Sequence, residues 1–74
     1  MSHRVEAELV ANVIQVLVEP GDTVAVGDMV VLLESMKMEI PVETEWAGTI
    51  TEVGVTEGDV VNEGDLIVVV AEGK

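Results

Sequence analysis

The hydrophobic positions along this chain alternate with polar ones in short stretches that are separated by glycine and proline. Residues 14–19, IQVLVE, alternate in this way, and the period of two predicts a half-buried strand with the isoleucine and both valines inside. The later runs MVVLLE (29–34) and LIVVVA (66–71) are short and rich in β-branched residues, which favours strands over helices. The pattern therefore predicts an all-β fold.

An internal repeat divides the chain into two halves. The segment VLVEPGDTVAVGDMVVLLE begins at Val16 and aligns with VGVTEGDVVNEGDLIVVVA, which begins at Val53, 37 residues later. The match predicts a flattened barrel or sandwich hybrid whose halves are related by a pseudo-two-fold axis. The Gly-Asp dipeptides are predicted turns, and we expect Val16 and Val53 at equivalent core positions. The identical pairs include Val16/Val53, Val18/Val55, Gly21/Gly58, Asp22/Asp59, Val24/Val61, Gly27/Gly64 and Asp28/Asp65.

The segment between the two copies, LLESMKMEIPVETEWAG (32–48), has apolar strands on both sides of SMKM. This arrangement predicts a β-hairpin with Lys37 at or beside its tip, exposed to solvent. Met36 and Met38 flank the lysine, and methionine suits a surface that adapts to a partner. The alternative is that both methionines pack against the barrel, because alternation about the tip would send them to one face.

Composition limits the classes of partner and site. The length of 74 residues predicts a single domain over residues 1–74, with a core built largely from valine. Trp46 is expected to be a half-buried packing residue, and His3 is expected in a disordered N-terminal tail. A net charge of −12 opposes binding to nucleic acid or to anionic membrane surfaces. The N-terminus has no leader-like apolar run and the chain has no cysteine, so the expected location is the cytoplasm.

Few residues of this chain suit catalysis. One histidine near the N-terminus and no cysteine cannot supply a Ser/His/Asp or Cys/His set or a transition-metal cluster, and the carboxylates lack the spacing of a calcium loop. The sequence therefore offers no residue set for these kinds of catalysis. Lys74 is the only other lysine and has no motif around it.

The stretch Glu34-Ser35-Met36-Lys37-Met38, centred between two copies of the repeat, resembles the biotinyl/lipoyl attachment domain family, and in particular its short, single-domain biotinylated members. The resemblance implies that biotin protein ligase joins biotin covalently to Lys37. It implies a monomeric, non-catalytic carrier whose mobile arm moves carboxyl groups between biotin carboxylase and carboxyltransferase subunits. It further implies that the ligase recognises the residues around Lys37 at the cofactor site, which are Met36, Met38, Glu34, Ser35 and Glu39.

Two other functions stay open at this stage. A lipoyl carrier has a similar fold, although the lipoylated branch typically has Asp-Lys-Ala at the tip, which this chain lacks. An unmodified interaction module of the same fold is the other alternative. Glu34 and Glu39 are not expected to act as bases, because nearby carboxylates favour the charged ammonium form of Lys37. They are either a solvated pair or a means of steering the tip toward a basic ligase surface.

Overall fold

A computed structural model describes residues 1–72, and these residues form strands and turns without a helix. The predicted all-β fold is confirmed. No helix in this range could therefore cross a membrane. The strands are β1 (Ser2–Glu6), β2 (Ala11–Val16), β3 (Thr23–Val24), β4 (Met29–Ser35), β5 (Met38–Glu43), β6 (Gly48–Val53), β7 (Val60–Val61) and β8 (Leu66–Ala71).

The strands form two antiparallel sheets of four strands, in the orders β1-β8-β6-β3 and β5-β4-β2-β7. Adding 37 to the residue numbers of β1, β2, β3 and β4 gives the bounds of β5, β6, β7 and β8 to within one residue, so the two sheets are equivalent. This confirms the predicted pseudo-two-fold relation. Each sheet takes its two central strands from one half of the chain and its two edge strands from the other. The result is an open sandwich, because no ladder joins β1 to β5 within the described residues.

The core lies between the two sheets and repeats with the same offset of 37 residues. Val16 and Val53 occupy equivalent positions, as predicted, but both are half-buried and pack against the core rather than lying within it. The equivalent pairs of buried hydrophobic residues are Val13/Ile50, Val18/Val55, Val24/Val61, Val30/Ile67, Val31/Val68 and Leu33/Val70.

A β-bulge changes the alternation predicted for residues 14–19. The register of β2 against β4 shifts between Val13 and Gln15, which leaves Ile14 between two paired residues. Val13 is therefore 2% exposed and Ile14 is 38% exposed, so the predicted inward position of Ile14 is wrong. An extra residue at a bulge resets which later positions face inward, and Val18 is buried again.

The Gly-Asp dipeptides form the predicted turns. In each, the aspartate N–H donates to the carbonyl three residues earlier at 3.0 Å, and the aspartate Oδ2 accepts the N–H of that earlier residue at 2.8–2.9 Å. The glycine before the aspartate has φ between 92° and 100°, which is the pattern of a type II turn. These four turns are Glu19–Asp22, Ala25–Asp28, Thr56–Asp59 and Asn62–Asp65.

Each turn also binds a backbone segment of the other half. The Gly21 N–H donates to the Ile50 carbonyl at 2.7 Å, and the Ile50 N–H donates to the Asp22 carbonyl at 2.8 Å. The equivalent turn at residues 56–59 binds Val13 in the same way, with both bonds at 2.8 Å. The two remaining turns make the same pair of bonds to Thr44 and to Ala7. The halves are therefore joined by backbone hydrogen bonds as well as by the core.

Two glycine substitutions separate strain in a turn from a steric collision. Gly27→Ala places a side chain in open space at φ 92°, so we expect it to lower the free energy of unfolding by about 1 kcal/mol through backbone strain alone. Gly48→Ala directs its Cβ into the backbone carbonyl of Ala71, which must push β6 away from β8. Urea unfolding should show a larger loss for Gly48→Ala. Equal or greater stability of that variant would contradict the packing described.

Candidate functional site

The β4–β5 hairpin closes with a two-residue loop, and Lys37 is in that loop. Ser35 pairs with Met38, which leaves Met36 and Lys37 as the loop residues. Their φ angles are 53° and 67°, as in a type I′ turn, which normally uses Asn-Gly. Left-handed backbone costs a residue with a side chain roughly 1–2 kcal/mol. The predicted hairpin with Lys37 at its tip is present, and its backbone is strained.

The side chains at the tip extend into solvent. Lys37 is exposed, Met36 is 91% exposed and Met38 is 65% exposed. The methionines therefore do not pack against the sandwich, which was the alternative interpretation of their spacing. No carboxylate among residues 1–72 lies within ion-pair distance of the Lys37 amine. The amine is accessible to a protein that approaches the end of the hairpin.

Glu34 and Glu39 lie directly opposite each other on β4 and β5, one position from the pair that closes the loop. Both side chains are exposed, whereas Ser35 is half-buried. Like charges at directly opposite positions destabilise a sheet, by a few tenths of a kcal/mol to about 1 kcal/mol. The hairpin thus presents two carboxylates on one face, just below the lysine.

His3 is part of the folded structure, so its prediction as a tail residue is wrong. It lies in β1, and its ring stacks on Trp46 with centroids 4.3 Å apart and an angle of 2° between the planes. Its Nε2 is 3.2 Å from Glu72 Oε2. The repeat could have indicated this strand, because adding 37 to the numbers of β1 gives residues 39–43, which lie in β5.

Trp46 is half-buried and packs against the core, as predicted. It is positioned by Thr44, which is 1% exposed. The Trp46 N–H donates to Thr44 Oγ1 at 3.0 Å, and the Thr44 hydroxyl donates to the Trp46 carbonyl at 2.8 Å. These two bonds fix the backbone of Trp46, and the indole itself is held by the His3 stack.

A groove lies between the edge strands β1 and β5, and the sequence analysis did not predict it. Its volume is about 350 Å³. We call it the β1–β5 groove. Arg4 stands at its rim with Nε 3.0 Å from Glu6 Oε2. Apolar residues that line it include Val5, Leu9, Leu33, Ile40, Val42 and Trp46, and its other carboxylates are Glu8, Glu43 and Glu45.

The remaining candidate chemistry is limited. Within residues 1–72, no group of three or more His, Cys, Asp or Glu side chains is arranged to hold a metal ion. Lys74, the second lysine of the sequence, lies outside the described residues. The site that the structure offers is thus an exposed amine on a strained hairpin, with a groove along the neighbouring strand.

Comparison with known proteins identifies related sequences. The Biotin_lipoyl family model, described as a biotin-requiring enzyme family, matches residues 5–70. Biotinylated protein TB7.3 of Mycobacterium bovis is 62% identical over 42 residues, which are 57% of this chain and 59% of that protein. The aligned part of the chain thus spans less than two thirds of the length of this relative.

Solved structures also match the fold. A domain of a single-chain, multi-domain long-chain acyl-CoA carboxylase has a TM-score of 0.90 and 30% identity, covering 97% of this chain and 7% of that one. The lipoyl domain of the 2-oxoglutarate dehydrogenase complex from Azotobacter vinelandii has a TM-score of 0.77 and 26% identity, covering 95% of this chain and 99% of that one. Both a carboxylase domain and a lipoyl domain therefore have this architecture.

The strain in the tip loop can be tested by stability. Met36→Asn places a residue that tolerates the left-handed region at φ 53°, so we expect the free energy of unfolding to rise by roughly 0.5–1 kcal/mol. Met38→Asn is the matched control, because Met38 is also exposed but lies in β5, where asparagine is unfavourable. Denaturant unfolding of both variants measures the difference. A Met36→Asn protein no more stable than the control would show that the loop is unstrained.

Proposed function

This chain belongs to the Biotin_lipoyl family and is a biotin carrier domain, and we propose that the biotin is joined to Lys37. The observation that supports this assignment best is the exposed amine of Lys37 at the tip of the β4–β5 hairpin. The residues present fit an amide-linked cofactor, because acylation needs an accessible amine and removes a charge that no carboxylate in residues 1–72 pairs with. Biotin, when bound, supplies a ureido nitrogen that accepts and releases a carboxyl group.

The protein contributes position rather than catalysis. Lys37 follows β4, which is a central strand of its sheet and pairs with both β2 and β5. A hairpin supported in this way holds the tethered group at a defined distance from the folded domain. Tethering raises the local concentration of the group at each active site it reaches, which turns a bimolecular encounter into an effectively intramolecular one.

We assign recognition by biotin protein ligase to the side chains around the lysine. Met36 and Met38 offer exposed, flexible apolar contacts. Ser35 closes the loop by pairing with Met38. Glu34 and Glu39 offer a negative surface to a basic ligase, which accelerates encounter. No carboxylate of residues 1–72 lies within ion-pair distance of the Lys37 amine, so we assign the base that deprotonates it to the ligase.

Further partners follow from the carrier function. We propose that residues 1–74 act as one monomeric carrier domain in the cytoplasm, where ATP is available for ligation. A biotin carboxylase and a carboxyltransferase are its proposed catalytic partners, and the carrier itself is not an enzyme. The likeness to a domain of a long-chain acyl-CoA carboxylase supports this role.

A lipoyl carrier is the second candidate, and one observation favours it: the Azotobacter vinelandii lipoyl domain shares the architecture. The tip sequence favours biotin instead, because methionines flank Lys37 on both sides. An unmodified interaction module would leave the amine free. Mass analysis distinguishes the three, since each predicts a different mass for the native chain.

The attachment residue is tested with Lys37→Arg. Arginine keeps the positive charge but has no amine that can be acylated, so the variant should fold and melt like the wild type. After incubation with biotin protein ligase, biotin and ATP, intact mass should show one biotin on the wild type and none on the variant. An adduct on the variant, mapped to Lys74 or to the N-terminus, would refute the assignment.

Cofactor choice is tested by changing both methionines. Met36→Asp with Met38→Ala should slow biotinylation about tenfold or more, equivalent to about 1.4 kcal/mol of lost transition-state binding, because it removes the apolar contacts proposed for the ligase. The matched control is Val26→Asp with Met29→Ala, which alters two exposed apolar residues away from the tip. The rate measured with labelled biotin should stay at the wild-type value for the control. Equal rates for both double variants would exclude the methionines from recognition.

A further inference from the structure

The β1–β5 groove is lined in part by Leu33 and Ile40, which belong to the two strands that lead to the hairpin tip. We propose that the β1–β5 groove is a docking site for the biotin ring of the arm carried by Lys37, occupied when the arm is not engaged by another protein. This inference rests on the proposed attachment at Lys37. It assigns to the groove residues a role in holding the cofactor, separate from the tip residues that the ligase contacts.

The groove is within reach of the arm. Its lining includes Leu33 and Ile40, which pair with each other across β4 and β5, two positions from the Ser35–Met38 pair that closes the loop. Ile40 is three residues from Lys37, or about 10 Å along an extended strand. The arm consists of the lysine side chain and the valeryl chain of biotin, and it exceeds this distance when extended. The arm can therefore fold back along β5 without any movement of the backbone.

The size and lining of the groove suit a small bicyclic ligand. A volume of about 350 Å³ lies within the range of small-molecule sites, and the lining combines apolar side chains with Arg4 and four glutamates. Val5, Val42 and the edge of the fixed Trp46 side chain can contact the sulfur-containing ring. The His3 stack holds the indole, and two hydrogen bonds to Thr44 fix the Trp46 backbone that carries it, so this wall is preformed.

The polar groups at the rim complement the ureido group. A ureido carbonyl accepts hydrogen bonds, and the guanidinium of Arg4 is a donor at the rim. The two ureido N–H groups donate, and Glu43 and Glu45 present carboxylate acceptors on the β5 side. Both kinds of partner are therefore present around an apolar floor.

The charge of the rim selects the amide-linked cofactor over free biotin. Free biotin carries a carboxylate, which the glutamates of the groove repel, whereas the amide bond to Lys37 removes that charge. Tethering also supplies an effective concentration in the millimolar range for a short flexible arm. A weak site is thus sufficient to hold the ring, and weak binding allows its release to a partner.

The experiment compares ¹H–¹⁵N NMR spectra of the full chain with and without biotin on Lys37, the modification being verified by intact mass. We expect shifts at the tip and, separately, at Val5, Ile40, Val42 and the Trp46 indole N–H. Shifts confined to residues 35–39 would overturn the proposal. Biotinamide, which lacks the carboxylate, is titrated into the unmodified chain as a free probe and should shift the same groove residues, whereas biotin should do so less. Absence of any groove shift with biotinamide would count against the site even if ligation at Lys37 failed.

A pair of adjacent substitutions supplies the control. Leu9 lines the groove and Val10 does not, and both are exposed, so Leu9→Asp and Val10→Asp should fold equally well. Leu9→Asp places a carboxylate on an apolar wall and should reduce the groove shifts caused by biotinylation by about half or more. Val10→Asp should leave them unchanged. Equal shifts in both variants would show that the ring does not occupy the groove, while the mass of each variant reports attachment at Lys37 independently.

Discussion

The positive φ of the glycines in the Gly-Asp turns is the constraint on which the rest of the fold depends. This conformation frees the glycine N–H and the aspartate carbonyl to bind a strand or loop of the opposite half, as Gly21 and Asp22 do with Ile50. The aspartate side chain meanwhile closes its own turn. A side chain on the glycine would strain this backbone. Two residues thus fix a turn and the alignment of one half against the other, and the repeat applies the same device four times in the described chain.

The hairpin tip, unlike the Gly-Asp turns, contains features that lower the stability of the fold. Its loop places Met36 and Lys37 in left-handed backbone, and two glutamates face each other directly beneath. Both features cost stability. Strain and unfavourable charge of this kind concentrate at functional sites and are tolerated where the surrounding structure is well determined. Here that support comes from β4, which is hydrogen-bonded on both sides.

The sequence predicted those parts of the structure that depend on local pattern or on the repeat. The two halves, the Gly-Asp turns and the hairpin with Lys37 at its tip all follow from residues close together in the chain or from the identical pairs. Ile14 was wrongly placed because the bulge between Val13 and Gln15 adds one residue, and this shifts which positions of the strand face inward. His3 was missed because its place depends on β1 pairing with β8 and on the stack with Trp46, residues more than forty positions away. The β1–β5 groove was missed because it lies between edge strands of two different sheets.

The exchange of edge strands between the halves has a consequence for synthesis of the protein. The sheet that contains β1 cannot pair its first strand until β8 has left the ribosome, since β8 is the one strand that β1 bonds to within residues 1–72. Neither half has a complete sheet of its own, because the edge strands of each half pair with the central strands of the other half. Long-range pairing of this kind forms late and all at once. The nascent chain therefore acquires its native sandwich only when Ala71 has emerged from the ribosome, and the supported hairpin that carries Lys37 is complete only after that point.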